Sequence, residues 1–273
     1  MSPVGMNGKK RKGIFIVIIL ILALSPCPAP AGEIETVLIV SIDALHPDAL
    51  GEKTSKTIHS VMKKGVFTMK GQSVSPPLTL LSHAAMFSGV GPGKGGRKDN
   101  SWKPGWNQIR HKTIFDHAKS SRFSTGFFYS KEKLGFLLSD AVDQHKLDPD
   151  FSVENAEAFF KKPGRKKFCF LHVGGLDRTG PTEGWLSKGY MEELFFIDES
   201  LSSLVELITS KKGYLLIITS DHAGHGTIHG SDHPDDAKLP LAMVSDIADL
   251  ERYQGMDYCV TKLKAMLKEI LSW

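Results

Sequence analysis

Three acids, Asp43, Asp177 and Asp221, each stand at or just after the end of an apolar run, and His222 directly follows the last of them. Carboxylates brought together repel and raise one another's pKa values unless a cation lies between them. Such a set, drawn from distant parts of the chain, therefore predicts a metal centre. Asp221 and His222, after LLIITS, carry most of that expectation, because burying two ionisable groups without a cation is expensive. Thr79 opens LTLLSHAAMFSG, a run of good helix formers closed by Gly89, which puts it at or near a helix N-terminus. Taken alone it is a helix cap. His83, further along that helix, reads as a surface or pocket-lining residue.

Positioning these residues requires strands that end together. TVLIVSID, residues 36–43, is a continuous β-branched run suited to a strand buried on both faces. Residues 55–64 have helical spacing, with Ile58, Val61 and Met62 on one side, and VFTMKGQSV follows as a strand. The stretch from 91 to 105 is rich in Gly, Pro and charge and is a loop. A helix near 113–120, the strand STGFFYS, a helix around 153–162, the buried strand KKFCFLHV, a long amphipathic helix over 188–210 and the strand GYLLIITSD complete the pattern, and 257–273 reads as a surface helix. This alternation predicts an α/β fold, a mostly parallel sheet with helices on both faces. In such sheets ligands bind beyond the carboxyl ends of the strands, which is where the three acids fall.

A chain of 273 residues with 41% hydrophobic residues can bury a large core in one domain. Its formal charge of +4 owes much to Lys9, Lys10, Arg11 and Lys12, so no nucleic-acid-binding surface is expected. That basic cluster, the apolar run GIFIVIILILAL and the small-residue stretch SPCPAPAG read together as a secretory signal over 1–31, with Ala29 and Ala31 in the A-x-A positions. The apolar run is short for a span. An exported, periplasmic or extracellular domain over 32–273 is expected, touching membrane only through the N-terminal signal or, as the alternative, an uncleaved anchor. The remaining Cys169 and Cys259 allow one disulfide but do not require it, and their spacing is not that of a zinc–thiolate site.

SIDALHPDAL, PPLTLLSHAAMFSG, LDRTGPTEGW and TSDHAGHGTIHG fall in an order and spacing that resembles the alkaline phosphatase superfamily, in its branch of type I phosphodiesterases and nucleotide pyrophosphatases. The resemblance runs from about residue 37 to 241. It implies a three-layer sandwich with a mostly parallel central sheet. It also implies that Asp43, Asp221 and His222, with the hydroxyl of Thr79, hold one divalent metal, and that Thr79 is the nucleophile passing through a phospho-threonine. Coordination would lower the pKa of that weakly nucleophilic hydroxyl and orient it toward phosphorus. Asn100 matches the position of a side-chain amide on the phosphoryl group, where it would stabilise transition-state charge. Two metal ions, zinc or manganese, are implied, and a small-molecule phosphoester is the implied partner.

The chain departs from this pattern at the second metal site. Relatives carry an Asp, a His four residues later and a more distant His; here Asp177 and His229 fit, but the middle position is Pro181, which has no ligand atom. His225 is the expected substitute, with His172 and His233 as further candidates. The expectation is a phosphodiesterase, nucleotide pyrophosphatase or phosphatase with a weakened second site, and the alternative is a catalytically impaired phosphoester-binding relative. Sulfatases need Cys or Ser where Thr79 stands, and the GxSxG signature of serine hydrolases is absent.

Overall fold

Strand β1 (Thr36–Ile42) is buried along its whole length, as its unbroken apolar sequence requires, and it lies in the middle of an eight-stranded sheet. In chain order there follow α1 (Lys56–Lys64), β2 (Val66–Gln72), α2 (Thr79–Ser88), α3 (Ile114–Ser120), β3 (Ser124–Tyr129), β4 (Gln144–Leu147), α4 (Ser152–Lys161), β5 (Lys167–Val173), α5 (Leu176–Glu183), α6 (Lys188–Thr209), β6 (Tyr214–Thr219), β7 (Lys238–Ser245), β8 (Tyr258–Cys259) and α7 (Leu263–Ile270). The chain divides into two units, Met1–Ala31 and Gly32–Trp273. This computed structural model describes residues 1–3, 5, 32–164 and 166–273, so the signal read in the first 31 residues lies outside the described residues, apart from 1–3 and 5. Among the described residues no helix is long and apolar enough to cross a membrane.

The strand order is β4-β3-β5-β1-β6-β7-β2-β8. Pairings from β4 to β6 are parallel, β7 runs antiparallel to both β6 and β2, and β8 is parallel to β2. Period-two alternation divides the core into two layers. Val37 and Ile39 of β1 face the same apolar cluster as Phe168 and Phe170 of β5, Leu215 and Ile217 of β6, and helices α2, α3 and α7. Leu38, Val40 and Ile42 face the opposite cluster, closed by α1, α4 and α6. This is the expected three-layer, mostly parallel α/β sandwich.

Local chemistry sets the element ends. The carboxylate of Asp198 on α6 accepts from the N–H groups of Thr57 (2.8 Å) and Ile58 (2.9 Å), so it caps α1 from another helix. Gly89 ends α2 in the left-handed conformation, φ 76°. Thr113 and Asp116 form a capping box on α3.

Five features bear on the sequence expectation. β4, α5 and β7 were not anticipated: β4 is only four residues long, α5 contains Gly180 and Pro181, and β7 contains Pro240. The C-terminal stretch is a two-residue strand and a short helix that buries Leu263, Met266 and Leu267, rather than one surface helix. Cys169 and Cys259 are free thiols on the third and eighth strands of the sheet order, so the bridge that two cysteines allowed is not formed.

Candidate metal centre

The α2-facing rows of the sheet change character over one step toward the strand ends. Ile39 pairs with Phe170 and Ile217; two residues on, Ser41 pairs with His172 and Thr219. Asp43 follows β1, Asp221 and His222 follow β6, Asp177 lies in the first turn of α5 after β5, and Thr79 is the first residue of α2. The parallel strands thus deliver acids from three separate segments to one edge.

The side chains meet around His222 Nε2. Asp43 Oδ1 lies 3.4 Å from it, Asp221 Oδ2 3.6 Å, Asp177 Oδ1 3.7 Å and Thr79 Oγ1 3.5 Å. His222 Nδ1 donates to Ala223 O at 2.9 Å, a tautomer assigned from the carbonyl partner, which leaves Nε2 to the cluster. His229 Nε2 is 3.3 Å from Asp177 Oδ1, and its ring stacks on His222 with centroids 4.4 Å apart.

Each acid has one oxygen held by protein donors and one left over. Asp43 Oδ2 accepts from His172 Nε2 at 2.9 Å, and His172 Nδ1 in turn accepts from Ser130 Oγ at 2.8 Å. Asp221 Oδ1 accepts from Ala44 N at 3.1 Å, and Asp177 Oδ2 accepts from Lys131 Nζ. Among the described residues the opposite oxygens, Asp43 Oδ1, Asp221 Oδ2 and Asp177 Oδ1, are buried without a hydrogen-bond partner. Orphaned buried carboxylate oxygens are costly. A divalent cation removes that cost, and the donor set suits one: hard oxygens and an imidazole, positioned by outer hydrogen bonds. Four donors about 2.0–2.1 Å from a tetrahedral centre stand about 3.3–3.4 Å apart, close to the spacings observed. Two overlapping ligand groups are present, Asp43–Asp221–His222 and Asp177–His222–His229.

The charges reinforce this picture. Burial alone would push the carboxyl of Asp43 up, yet Lys131, His172 and His222 hold it well below the usual carboxylate range. Burial disfavours the His222 imidazolium, but Asp221, Asp43 and Asp177 outweigh it and raise its pKa, so a proton competes with a cation for Nε2. For Lys131 burial is again overcome by Asp43 and Asp177, which raise its pKa. Burial and the neighbouring His222 lower that of His229.

The backbone around Asp43 is strained and braced. Ala44 has φ 64°, a left-handed value that costs a non-glycine residue about 1–2 kcal/mol. Its carbonyl accepts from Tyr190 Oη at 2.8 Å and from Trp185 Nε1 at 3.3 Å, while His46 N donates to the same Tyr190 oxygen at 2.9 Å. On the other side, Asn100 Oδ1 accepts from Leu80 N at 2.9 Å, placing its amide at the opening turn of α2, where unpaired N–H groups favour an anion.

Sequence reasoning brought Asp43, Thr79, Asp177, Asp221, His222 and His229 to one place, and they are together. His225 is elsewhere: its Nδ1 is 2.6 Å from Asp236 Oδ1 and its ring stacks on His233, so the expected substitute ligand belongs to a separate His225–His233–Asp236 group. Pro181 lies inside α5 and offers nothing to Asp177. His83 is fully buried, not a surface residue. Lys131 and Tyr190 were missed, because a lysine after a strand and a tyrosine in an amphipathic helix carry no distinguishing pattern.

Residues 37–126 match the family described as type I phosphodiesterase / nucleotide pyrophosphatase. A curated relative, GPI ethanolamine phosphate transferase 1 of Neurospora crassa, is 26% identical over 147 residues; these cover 52% of this chain but 12% of that protein. The chain thus spans a small fraction of the curated relatives it matches. A 2-O GAG sulfatase superposes with a TM-score of 0.71 at 14% identity, covering 88% of this chain and 71% of that one. The C-terminal periplasmic domain of phosphoethanolamine transferase EptC from Campylobacter jejuni gives 0.67 at 12%, covering 88% and 90%. The corresponding domain from Escherichia coli, in complex with Zn, gives 0.66 at 10%, covering 88% and 83%. Residues 37–126 are thus similar to that phosphodiesterase family, and over 88% of its length the chain shares the fold of these sulfatase and phosphoethanolamine transferase structures.

Proposed function

We propose that this chain is an exported, metal-dependent phosphoester-cleaving enzyme in which Thr79 is the nucleophile. One observation carries the reading: three acids each direct an orphaned buried oxygen to the surroundings of His222 Nε2, beside the Thr79 hydroxyl. A divalent cation held there by Asp43, Asp221, His222 and Thr79, most simply zinc and alternatively manganese, would lower the hydroxyl's pKa and neutralise charge on the phosphoryl oxygens.

The chain's own residues supply the rest. His83 Nδ1 donates to Thr79 O at 2.7 Å and fixes the turn that presents the hydroxyl. Thr79 Oγ bonds to phosphorus as the bond to the departing oxygen breaks, and the hydroxyl's proton ends on the departing alcohol. Asn100 and the opening turn of α2 hold the phosphoryl group. The phospho-threonine then passes its group to water, which is hydrolysis, or to an alcohol, which is transfer.

Transfer deserves its place as the second reading for a specific reason. A cavity of about 380 Å³ is lined by Asp150, Glu154, Asp177 and Glu193, which outnumber Lys131 and Arg178, while Phe196 adds an exposed ring. Such a lining suits a cationic amino-alcohol, and the relatives named as ethanolamine phosphate transferases point the same way.

Turnover of p-nitrophenyl phosphate and of bis-p-nitrophenyl phosphate, with and without zinc or manganese, tests the reading. Metal-dependent release of nitrophenol is expected, lost in Thr79→Ala, with a phosphoryl adduct on Thr79 seen by mass spectrometry. Undiminished turnover in Thr79→Ala would exclude Thr79 as the nucleophile, and binding without turnover would leave a phosphoester-binding relative. Adding ethanolamine as acceptor and analysing products separates transfer from hydrolysis.

A further inference from the structure

The second cation position has an occupant within the chain itself. Lys131 follows β3 by two residues, and its ammonium reaches three groups at once: Asp43 Oδ2 at 2.6 Å, Asp177 Oδ2, and Thr79 Oγ1 at 3.2 Å. An ammonium has three donors, and all three are committed to the residues that would otherwise share two metal ions. The acid on which a second ion would depend has therefore given one oxygen to Lys131. One helical turn beyond that acid stands Pro181, without a ligand atom.

We infer that Lys131 is the resident second cation of this site, and that the chain takes one divalent ion rather than two. This rests on the reading of Thr79 as a metal-assisted nucleophile. Charge supports it independently: the carboxylates of Asp43, Asp177 and Asp221 against one ammonium leave two negative charges, which a single divalent ion neutralises. A second ion beside a fixed ammonium would leave the pocket with surplus positive charge and too few ligands. An ammonium also differs from a metal in what it can do. It donates a hydrogen bond to the attacking oxygen of Thr79, but it cannot coordinate a departing alkoxide, so the site favours esters with good leaving groups.

The experiment counts ions. The protein is saturated with zinc, desalted, and its metal content per chain read by native mass spectrometry, in a His233→Ala background so that the separate His225–His233–Asp236 group does not contribute. One ion per chain is expected. In the double variant Lys131→Met, Pro181→His the count is expected to rise to two. Lys131→Arg keeps the charge and one ion, whereas Lys131→Met alone lowers turnover roughly 100-fold, the scale of losing one transition-state donor. Two ions in the parent overturn the inference even where turnover still needs Thr79, and so does parental turnover in Lys131→Met. No ion in the parent sinks the functional reading as well. Because the parent count decides on its own, the inference stays testable if Lys131→Met fails to fold.

Discussion

Removing the Tyr190 hydroxyl should loosen Asp43 without touching any residue of the metal cluster. Tyr190→Phe deletes one donor, to Ala44 O at 2.8 Å, and one acceptor, from His46 N at 2.9 Å. Ala44 O keeps the indole N–H of Trp185 at 3.3 Å, so its loss is the net value of one hydrogen bond, about 1 kcal/mol. His46 is a buried residue, and its N–H is left without that partner, which costs about 1–3 kcal/mol. The ring volume hardly changes, so no cavity is created. The sum is about 2–4 kcal/mol, or roughly 4–16 °C in Tm for a chain of this size. Urea unfolding and thermal melts of wild type and variant measure it. Ala44, held at φ 64° next to Asp43, is then freer to relax, so zinc affinity should fall along with stability. A variant with wild-type Tm and zinc affinity would refute the bracing role of Tyr190.

Two further outcomes follow from packing and charge. A Cβ on Gly65 would stand 2.0 Å from Met243 O on β7, a backbone atom that cannot step aside, so Gly65→Ala should destabilise by about 2–3 kcal/mol in denaturant unfolding; a loss under about 0.5 kcal/mol would show that β2 and β7 can slide apart. Burial pushes the carboxyl of Asp236 up, but hydrogen bonds from His225 and Ser231 outweigh it and set its pKa below the usual value of 3.8. An acid depressed by folding stabilises the native state above its unfolded pKa and loses that contribution as pH falls through the lower folded value. Asp236→Asn should therefore cost about 2 kcal/mol at neutral pH, with the gap to wild type closing below pH 3.8; a gap that stays constant into acid would refute this.

How much of this was legible in the sequence depended on whether a residue's role leaves a local pattern. β1, β5 and β6 are unbroken apolar runs because both faces are buried, and runs of that kind read clearly. β7 is buried at all but its two end residues, but Pro240 interrupts its pattern, and α5 carries Gly180 and Pro181 where a helix would ordinarily carry neither. At the site, acids after apolar runs announced themselves, whereas Lys131 acts through a position that the β3–β5 and β5–β1 pairings together bring beside Asp43. His225 shows the opposite failure. Its spacing from His229 suggested shared duty, but the turn closed by the His225–Ile228 bridge sends the two rings to different partners.

His83 shows why the polar row beneath the cluster matters to the chemistry above it. Its ring lies at the boundary between core and site, edge-on to Phe170 with centroids 5.9 Å apart, and 3.0 Å through Nε2 from Ser41 Oγ. Burial lowers its pKa to about 4, only partly countered by Asp221, so at neutral pH the imidazole is uncharged. A neutral ring has one donor and one acceptor. The donor goes to Thr79 O, so the Ser41 hydroxyl must donate to Nε2. The first turn of α2 is thereby tied to the same row of β1 that leads, two residues later, to Asp43. A charged ring would have two donors and no acceptor, and would add positive charge beside the cation position. The neutrality imposed by the apolar rows below is thus what lets one side chain align the Thr79 backbone with the strand that delivers Asp43.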